Sequence, residues 1–398
     1  MTPLDLLITH ATLPTGEIAA VGIRNGKIAL IETSDRTLPP AAETLDINQQ
    51  LLCPGFIDGH IHLDKTLMGA EWIPHIAGDT VRERIAIEKK VLSQVAVPME
   101  QRAAALIEQV IRQGSTTVRT HVDVDPELGL SHLHTLLKLR EHYADKLSIQ
   151  IVAFPQSGVM TCPGTLDLLD QAIQAGADLV GGLDPAGIDN DITGQLDGLF
   201  TIAHRHGVGI DIHLHDPAEL GIYQLQQIAQ RTKALALSGR VTVSHAYALG
   251  MVNADLAKNT AETLADAGVS ILTNAPGNQA FPPIQILRDA GVTVFAGSDN
   301  IRDAWWPFGD GDMLERAMII AYRSSFCTDE LLRIPFEMAT QAGAEALGMK
   351  NYGLQVEAAA DFVVLKAMTV AEAVVSRPQR SFVIKRGHIV AQANSMGG

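Results

Sequence analysis

Along the middle of the chain, short runs of apolar and β-branched residues alternate with longer stretches whose apolar positions recur every three to four residues. The runs fall at residues 56–62, 116–123, 149–154, 179–183, 210–215, 241–245, 270–273 and 292–296. Runs of this length without polar alternation predict strands buried on both faces, as in a parallel sheet. The stretches at 84–94 with 99–112, 133–143, 166–175, 196–206, 222–236, 256–267 and 284–290 carry helical spacing. Gly114, Gly176, Gly207, Gly268 and Gly291 stand where these helices stop. Eight such units within about 240 residues have the number and size of a closed (β/α)8 barrel of the TIM type. An open doubly wound sheet is the alternative architecture. No Gly-x-Gly-x-x-Gly follows a strand, which removes its dinucleotide-binding version.

The two ends of the chain read differently. Apolar runs at 6–8 and 19–23 precede Asn25-Gly26, a strong hairpin signal, and 28–31 follows it. The far end repeats the pattern: 362–365, then 382–384, a turn at Lys385-Arg386-Gly387, and 389–390. Both termini are therefore expected to build one small β-sandwich, from residues 1–54 and 349–398, with the α/β barrel at 55–348 inserted between them.

Composition narrows the partners. At 398 residues and 46% hydrophobic content the chain can fill a large core. Its 45 acidic and 30 basic residues give a formal net charge of −15, and a polyanion needs clustered cations, so nucleic acid is excluded. No run of about 18 apolar residues occurs, so no membrane span is expected. Met1-Thr2-Pro3-Leu4-Asp5 lacks the basic-then-apolar order of a signal peptide. Cys53, Cys162 and Cys327 form no CxxC and no even framework, which suits a reduced cytoplasm. A homo-oligomer is left open.

In such barrels chemistry sits at the C-terminal ends of the strands. Histidines and acids gather there: His60 and His62, His121 and Asp123, Gln156, His213 with His215 and Asp216, His245, then Asp299 and Asn300. Side chains two apart on a strand share a face, so His60 and His62 converge. Paired imidazoles are half of a zinc-type site. Two solvated strand-end histidines are the plainer reading of that pair alone.

In this order of motifs the chain resembles the metal-dependent amidohydrolase superfamily over nearly its whole length. His62-Leu63-Asp64, Arg119-Thr120-His121-Val122-Asp123-Val124, Gln150-Ile151-Val152-Ala153-Phe154-Pro155-Gln156 and Trp305-Trp306-Pro307-Phe308-Gly309 are similar to cytosine deaminases. Asp64-Lys65, Leu179-Val180-Gly181-Gly182-Leu183-Asp184-Pro185-Ala186, His213-Leu214-His215-Asp216 and Ser298-Asp299-Asn300-Ile301-Arg302-Asp303 resemble the s-triazine branch, of the N-isopropylammelide isopropylaminohydrolase type. The resemblance implies that His60, His62, His213 and Asp299 ligate one divalent metal ion, zinc before iron(II). It further implies that His245 positions the attacking water and that His215 or Asp216 moves protons beside Asp299. Lys65, Gln156 and Asn300 would contact the substrate, and Trp305 would stack on it. Three imidazoles and one carboxylate leave room for a water, whose pKa such an ion brings to about 7. The implied reaction is hydrolytic displacement of ammonia or an alkylamine from a cyclic amidine, a cytosine-like pyrimidine or an ammelide-like s-triazine.

Two positions depart from the cytosine deaminase pattern: Asp216 stands in place of a glutamate and Asn300 in place of a second aspartate. Two-metal relatives carry a bridging lysine that the run at 179–183 lacks, which argues for one ion and against the rival reading, a hydantoinase-like cyclic-amide hydrolase. A catalytically silent metal-binding scaffold is the other rival. Deaminases of the His-x-Glu and Pro-Cys-x-x-Cys kind are excluded by the cysteines. Without the resemblance, Lys65 reads as a solvated loop residue, Gln156 as a rim amide and Trp305 as core. His121 and Asp123 are expected as interior supports and Asp303 as an orienting residue, with His132, His134, His142, His204 and His206 on the surface.

Overall fold

The computed structural model describes residues 3–34, 37–277 and 279–393. Residues 1, 2, 35, 36 and 394–398 of the expected terminal domain lie outside these. Eight parallel strands follow one another in sequence order: Phe56–Ile61, Ser115–Asp123, Ser148–Phe154, Leu179–Leu183, Gly209–Leu214, Val241–His245, Val269–Thr273 and Val294–Ala296. The eighth is shorter than its apolar run suggests. A parallel bridge between Ile61 and Asp299 joins the chain beyond the eighth strand to the first, and the Asp299 N–H donates to the His60 carbonyl at 2.7 Å. The sheet thus closes on itself through a residue of the expected site. Helices alternate with the strands and bury their apolar faces against it.

Between residues 300 and 348, where the sequence pattern assigns no element, three helices follow: Met313–Ser324, Asp329–Met338 and Gln341–Ala346. The first two start conventionally, since Asp312 accepts from the N–H of Leu314 at 2.8 Å and Thr328 from that of Leu331 at 3.3 Å. Pro335 inside the second helix and Gly343 in the third break the periodicity by which helices are recognised.

The chain ends meet in a second, mixed sheet. Leu4–Thr12, Ile18–Arg24, Lys27–Glu32, Ala41–Asp46 and Leu51–Pro54 come from one end, and Phe362–Leu365, Arg380–Lys385 and His388–Gln392 from the other. The seam is the antiparallel pairing of Leu51–Pro54 with Phe362–Leu365. Both predicted hairpins form. Asn25, Gly26, Arg386 and Gly387 all hold positive φ, between 48° and 81°, as tight two-residue hairpins require. The tips lie together: Ala360 donates to the Gly26 carbonyl and accepts from the Gly387 N–H, each at 2.9 Å.

Candidate active site

His60 lies inside the first strand and His62 just beyond it, His213 lies in the fifth, His245 ends the sixth, and Asp299 follows the eighth. His245 and Asp299 hold φ of 73° and 63°. Left-handed backbone at a non-glycine residue costs on the order of 1–3 kcal/mol and persists only where the surroundings enforce it. Here the barrel rim enforces it and turns both side chains inward.

The side chains converge. Ring centroids of His60 and His213 are 4.5 Å apart, of His60 and His62 5.2 Å, and of His62 and His213 5.5 Å. Asp299 Oδ1 lies 3.3 Å from His62 Nε2 and 3.6 Å from His60 Nε2. Ligand atoms of His60, His62 and His213 come within 4.8 Å of one another, as do those of His60, His245 and Asp299. Asp299 Oδ2 is occupied, accepting from Asn274 Nδ2 at 2.8 Å, which leaves Oδ1 toward the imidazoles.

Buried polar atoms are nearly always hydrogen-bonded, so exceptions ask for an explanation. His60 Nε2, His62 Nδ1 and both nitrogens of His213 are buried without a partner. Burial, reinforced by neighbouring imidazoles, pushes His60 and His213 well below the ordinary histidine range, so their rings are neutral and offer lone pairs. Neutral imidazoles beside a carboxylate are a donor set that fits a divalent ion.

Above the cluster opens a cavity of about 530 Å³. The residues expected to contact substrate, Lys65, Gln156, Asn300 and Trp305, all line it, with His62, His213, His215, His245 and Asp299 at its floor. Lys65 is not a solvated loop lysine but fully buried. Its ammonium bonds the Gln156 side-chain oxygen, lies 2.9 Å from Asp123 Oδ1, and keeps its charge because the carboxylates of Asp123, Glu88 and Asp64 outweigh the burial that opposes it. The Gln156 amide donates to Glu88 Oε1 at 2.6 Å and Asp123 Oδ2 at 3.2 Å. Asn300 Nδ2 donates to Asp303 at 2.6 Å, and the other Asp303 oxygen accepts from the N–H groups of Trp305 and Trp306, which fixes the tryptophan loop.

The sequence profile described as the amidohydrolase family matches residues 43–391. The chain belongs to the amidohydrolase family. N-isopropylammelide isopropyl amidohydrolase of Pseudomonas sp. (strain ADP) is 33% identical over 98% of this chain and 97% of its own length. The crystal structure of N-isopropylammelide isopropylaminohydrolase from Burkholderia multivorans superposes with a TM-score of 0.93 at 42% identity, covering 97% of this chain and 98% of that one. That of 5-methylcytosine deaminase from Klebsiella pneumoniae with 5-fluorocytosine gives 0.89 at 26% identity, covering 98% of each. This amidohydrolase is accordingly a hydrolase with a histidine–aspartate cluster able to hold a metal ion, and among its described residues no helix is long and apolar enough to cross a membrane.

Other residues fall differently from expectation. Asp216 turns from the cavity, its carboxylate accepting from the Gly187 N–H at 3.1 Å and Gln224 Nε2 at 2.9 Å, so the shorter acid has become a loop fastener. His132 is not a free surface residue: it is largely buried, with Nδ1 3.2 Å from Asp64 Oδ2. His206 Nε2 pairs with Asp170 at 2.9 Å. Asp184, Asn274 and Glu88 were not singled out. Asp184 accepts from His215 Nδ1 at 2.9 Å and from its N–H at 2.5 Å. The rule that located the histidines, polar residues just past a strand, applies equally to Asp184 after the fourth strand and Asn274 after the seventh. Glu88, buried on the helix Val81–Leu92, carries no such signal.

Proposed function

We propose that this amidohydrolase removes an amino or alkylamino group from a planar N-heterocycle, with one divalent ion, zinc, held by His60, His62, His213 and Asp299. The reading is carried by the partnerless buried imidazole nitrogens grouped around one carboxylate at the floor of a cavity. An ion bound there supplies water acidified to near neutral pH and a Lewis acid. The remaining work falls to the side chains. Burial lowers His245 to about 4, which makes it a neutral acceptor able to orient water and draw its proton. Burial acts on His215 in the same direction, but the Asp184 carboxylate outweighs it and raises the ring above the ordinary value, so His215 retains a proton for the leaving nitrogen. Two stacked rings, 4.6 Å apart, with their proton affinities driven in opposite senses suit an acid and a base. Lys65 donates to a ring carbonyl. Asn300, its amide N–H engaged by Asp303, keeps its oxygen for a ring N–H. Trp305 offers a face, though Arg84 lies over its ring at 6.0 Å.

These groups favour a ring rich in carbonyls with one exocyclic amine, as in the ammelide named for the Pseudomonas and Burkholderia relatives. Zinc-loaded protein assayed for released ammonia or amine on pyrimidines, s-triazines, pterins and cyclic amides tests the reading. Dihydroxy-s-triazines carrying an amino or alkylamino group should exceed cytosine in kcat/KM by about tenfold or more, since unpaired polar groups are rejected strongly. Cytosine preferred by the same margin overturns the triazine assignment and keeps the deaminase one. Activity confined to saturated cyclic amides overturns both.

A further inference from the structure

Below the candidate ligands a line of buried hydrogen bonds runs along the barrel interior. Asp211 and His213 alternate inward on the fifth strand and face Thr242 and Ser244 on the sixth. Arg119, from the second strand, places Nη1 2.9 Å from Asp211 Oδ2 and 3.1 Å from Thr242 Oγ1. Its Nε donates to Gln150 at 2.7 Å and its Nη2 to the Ala346 carbonyl at 3.1 Å. Ser244 Oγ donates to Asp211 Oδ1 at 2.7 Å and lies 2.9 Å from His60 Nδ1. Arg119, Asp211, Ser244 and His60 are all buried.

A serine hydroxyl carries one proton and two acceptor lone pairs. Asp211, held by Arg119 at 2.9 Å, accepts from Ser244 Oγ at 2.7 Å, so the Ser244 proton goes there. Ser244 then meets His60 with a lone pair, which requires the imidazole proton on Nδ1. His60 Nε2 is left with its own lone pair, buried and without a partner, 3.6 Å from Asp299 Oδ1.

We infer that Arg119, Asp211 and Ser244 form a positioning relay that fixes His60 as the Nδ1–H tautomer and so readies Nε2 as a metal ligand before the ion arrives. The inference rests on the ion site proposed above, since the tautomer matters to function through Nε2. Partners of this kind typically contribute 10- to 100-fold to metal affinity by setting ring orientation and tautomer.

Two measurements test it. In metal-free protein carrying ¹⁵N-labelled histidine, with His60 assigned by its absence in His60→Gln, the ring should be neutral with its proton on Nδ1. A proton on Nε2 overturns the inference whatever the metal does. In chelator competition, Ser244→Ala should bind zinc about 10- to 100-fold more weakly than wild type, while Ser244→Thr, which keeps the hydroxyl, should recover most of the loss. A melting curve of the metal-free Ser244→Ala variant checks that it is folded. Unchanged zinc affinity in folded Ser244→Ala overturns the relay. Wild-type protein that takes up no divalent ion overturns the proposed function instead, and the label still reports the tautomer of His60.

Discussion

Two of the buried polar clusters among the described residues end differently. Where the terminal sheet meets the barrel, Lys385 Nζ is 2.7 Å from Asp361 Oδ2 and donates to the Thr116 carbonyl at 2.9 Å, while the other Asp361 oxygen accepts from the Arg386 N–H at 2.8 Å. Every charge there is answered by protein, and burial lowers the Lys385 ammonium only against the pull of Asp361. At the barrel rim, His60, His62 and His213 are as deeply buried, yet His60 Nε2, His62 Nδ1 and both nitrogens of His213 have no partner. The first cluster is complete as folded and holds two parts of the chain together. The second leaves buried nitrogens able to hold a metal ion. Burial of polar groups does not separate structural from functional clusters; satisfaction does.

That contrast can be broken by substitution. His213→Ala should abolish metal uptake and lower kcat by about 10⁴-fold or more, the several kcal/mol an ion supplies, with little change in the melting temperature of metal-free protein. Elemental analysis beside calorimetry checks both halves. For His245→Asn the expected loss in turnover is about 10²–10⁴-fold with metal content retained; if the metal departs with the ring, His245 was a ligand. Lys385→Met should do the reverse of His213→Ala, since it leaves Asp361 buried and unpaired. A loss of about 3–5 kcal/mol in denaturant unfolding is expected, with kcat per folded, metal-loaded molecule close to wild type. Trp305→Ala should raise KM by about tenfold through lost ring contact and leave stability nearly untouched. The smallest effect belongs to Gly387→Ala. Its φ is 81° and a methyl there would meet Ile23 Cγ2 at 2.8 Å, so a stability loss of about 1–2 kcal/mol is expected with no change in turnover.

The contrast also marks what could be read from sequence. The barrel strands were legible because burial on both faces writes an unbroken apolar run, and the hairpins because Asn25-Gly26 and Arg386-Gly387 hold left-handed backbone that few residue types accept. His60, His62, His213 and His245 were legible because strand ends fix direction as well as place. The helices Asp329–Met338 and Gln341–Ala346 were not, since Pro335 and Gly343 stand inside them as breaker signals. Nor was the place of Asp216, whose carboxylate bonds the Gly187 N–H and the Gln224 amide, partners that only the fold brings beside it. Glu88 shows the deeper limit. Burial pushes its carboxyl up to about 8, yet along the sequence it is one acid among several on a helix that reads as solvent-facing.

The central claim, that the open cluster awaits one metal ion, is tested most directly by anomalous diffraction at the zinc edge from crystals of the zinc-loaded protein. One peak per chain, bounded by His60, His62, His213 and Asp299, is the expected result. No peak, or a peak held instead by His121 and Asp211 with the Arg119 pairing broken, would contradict it.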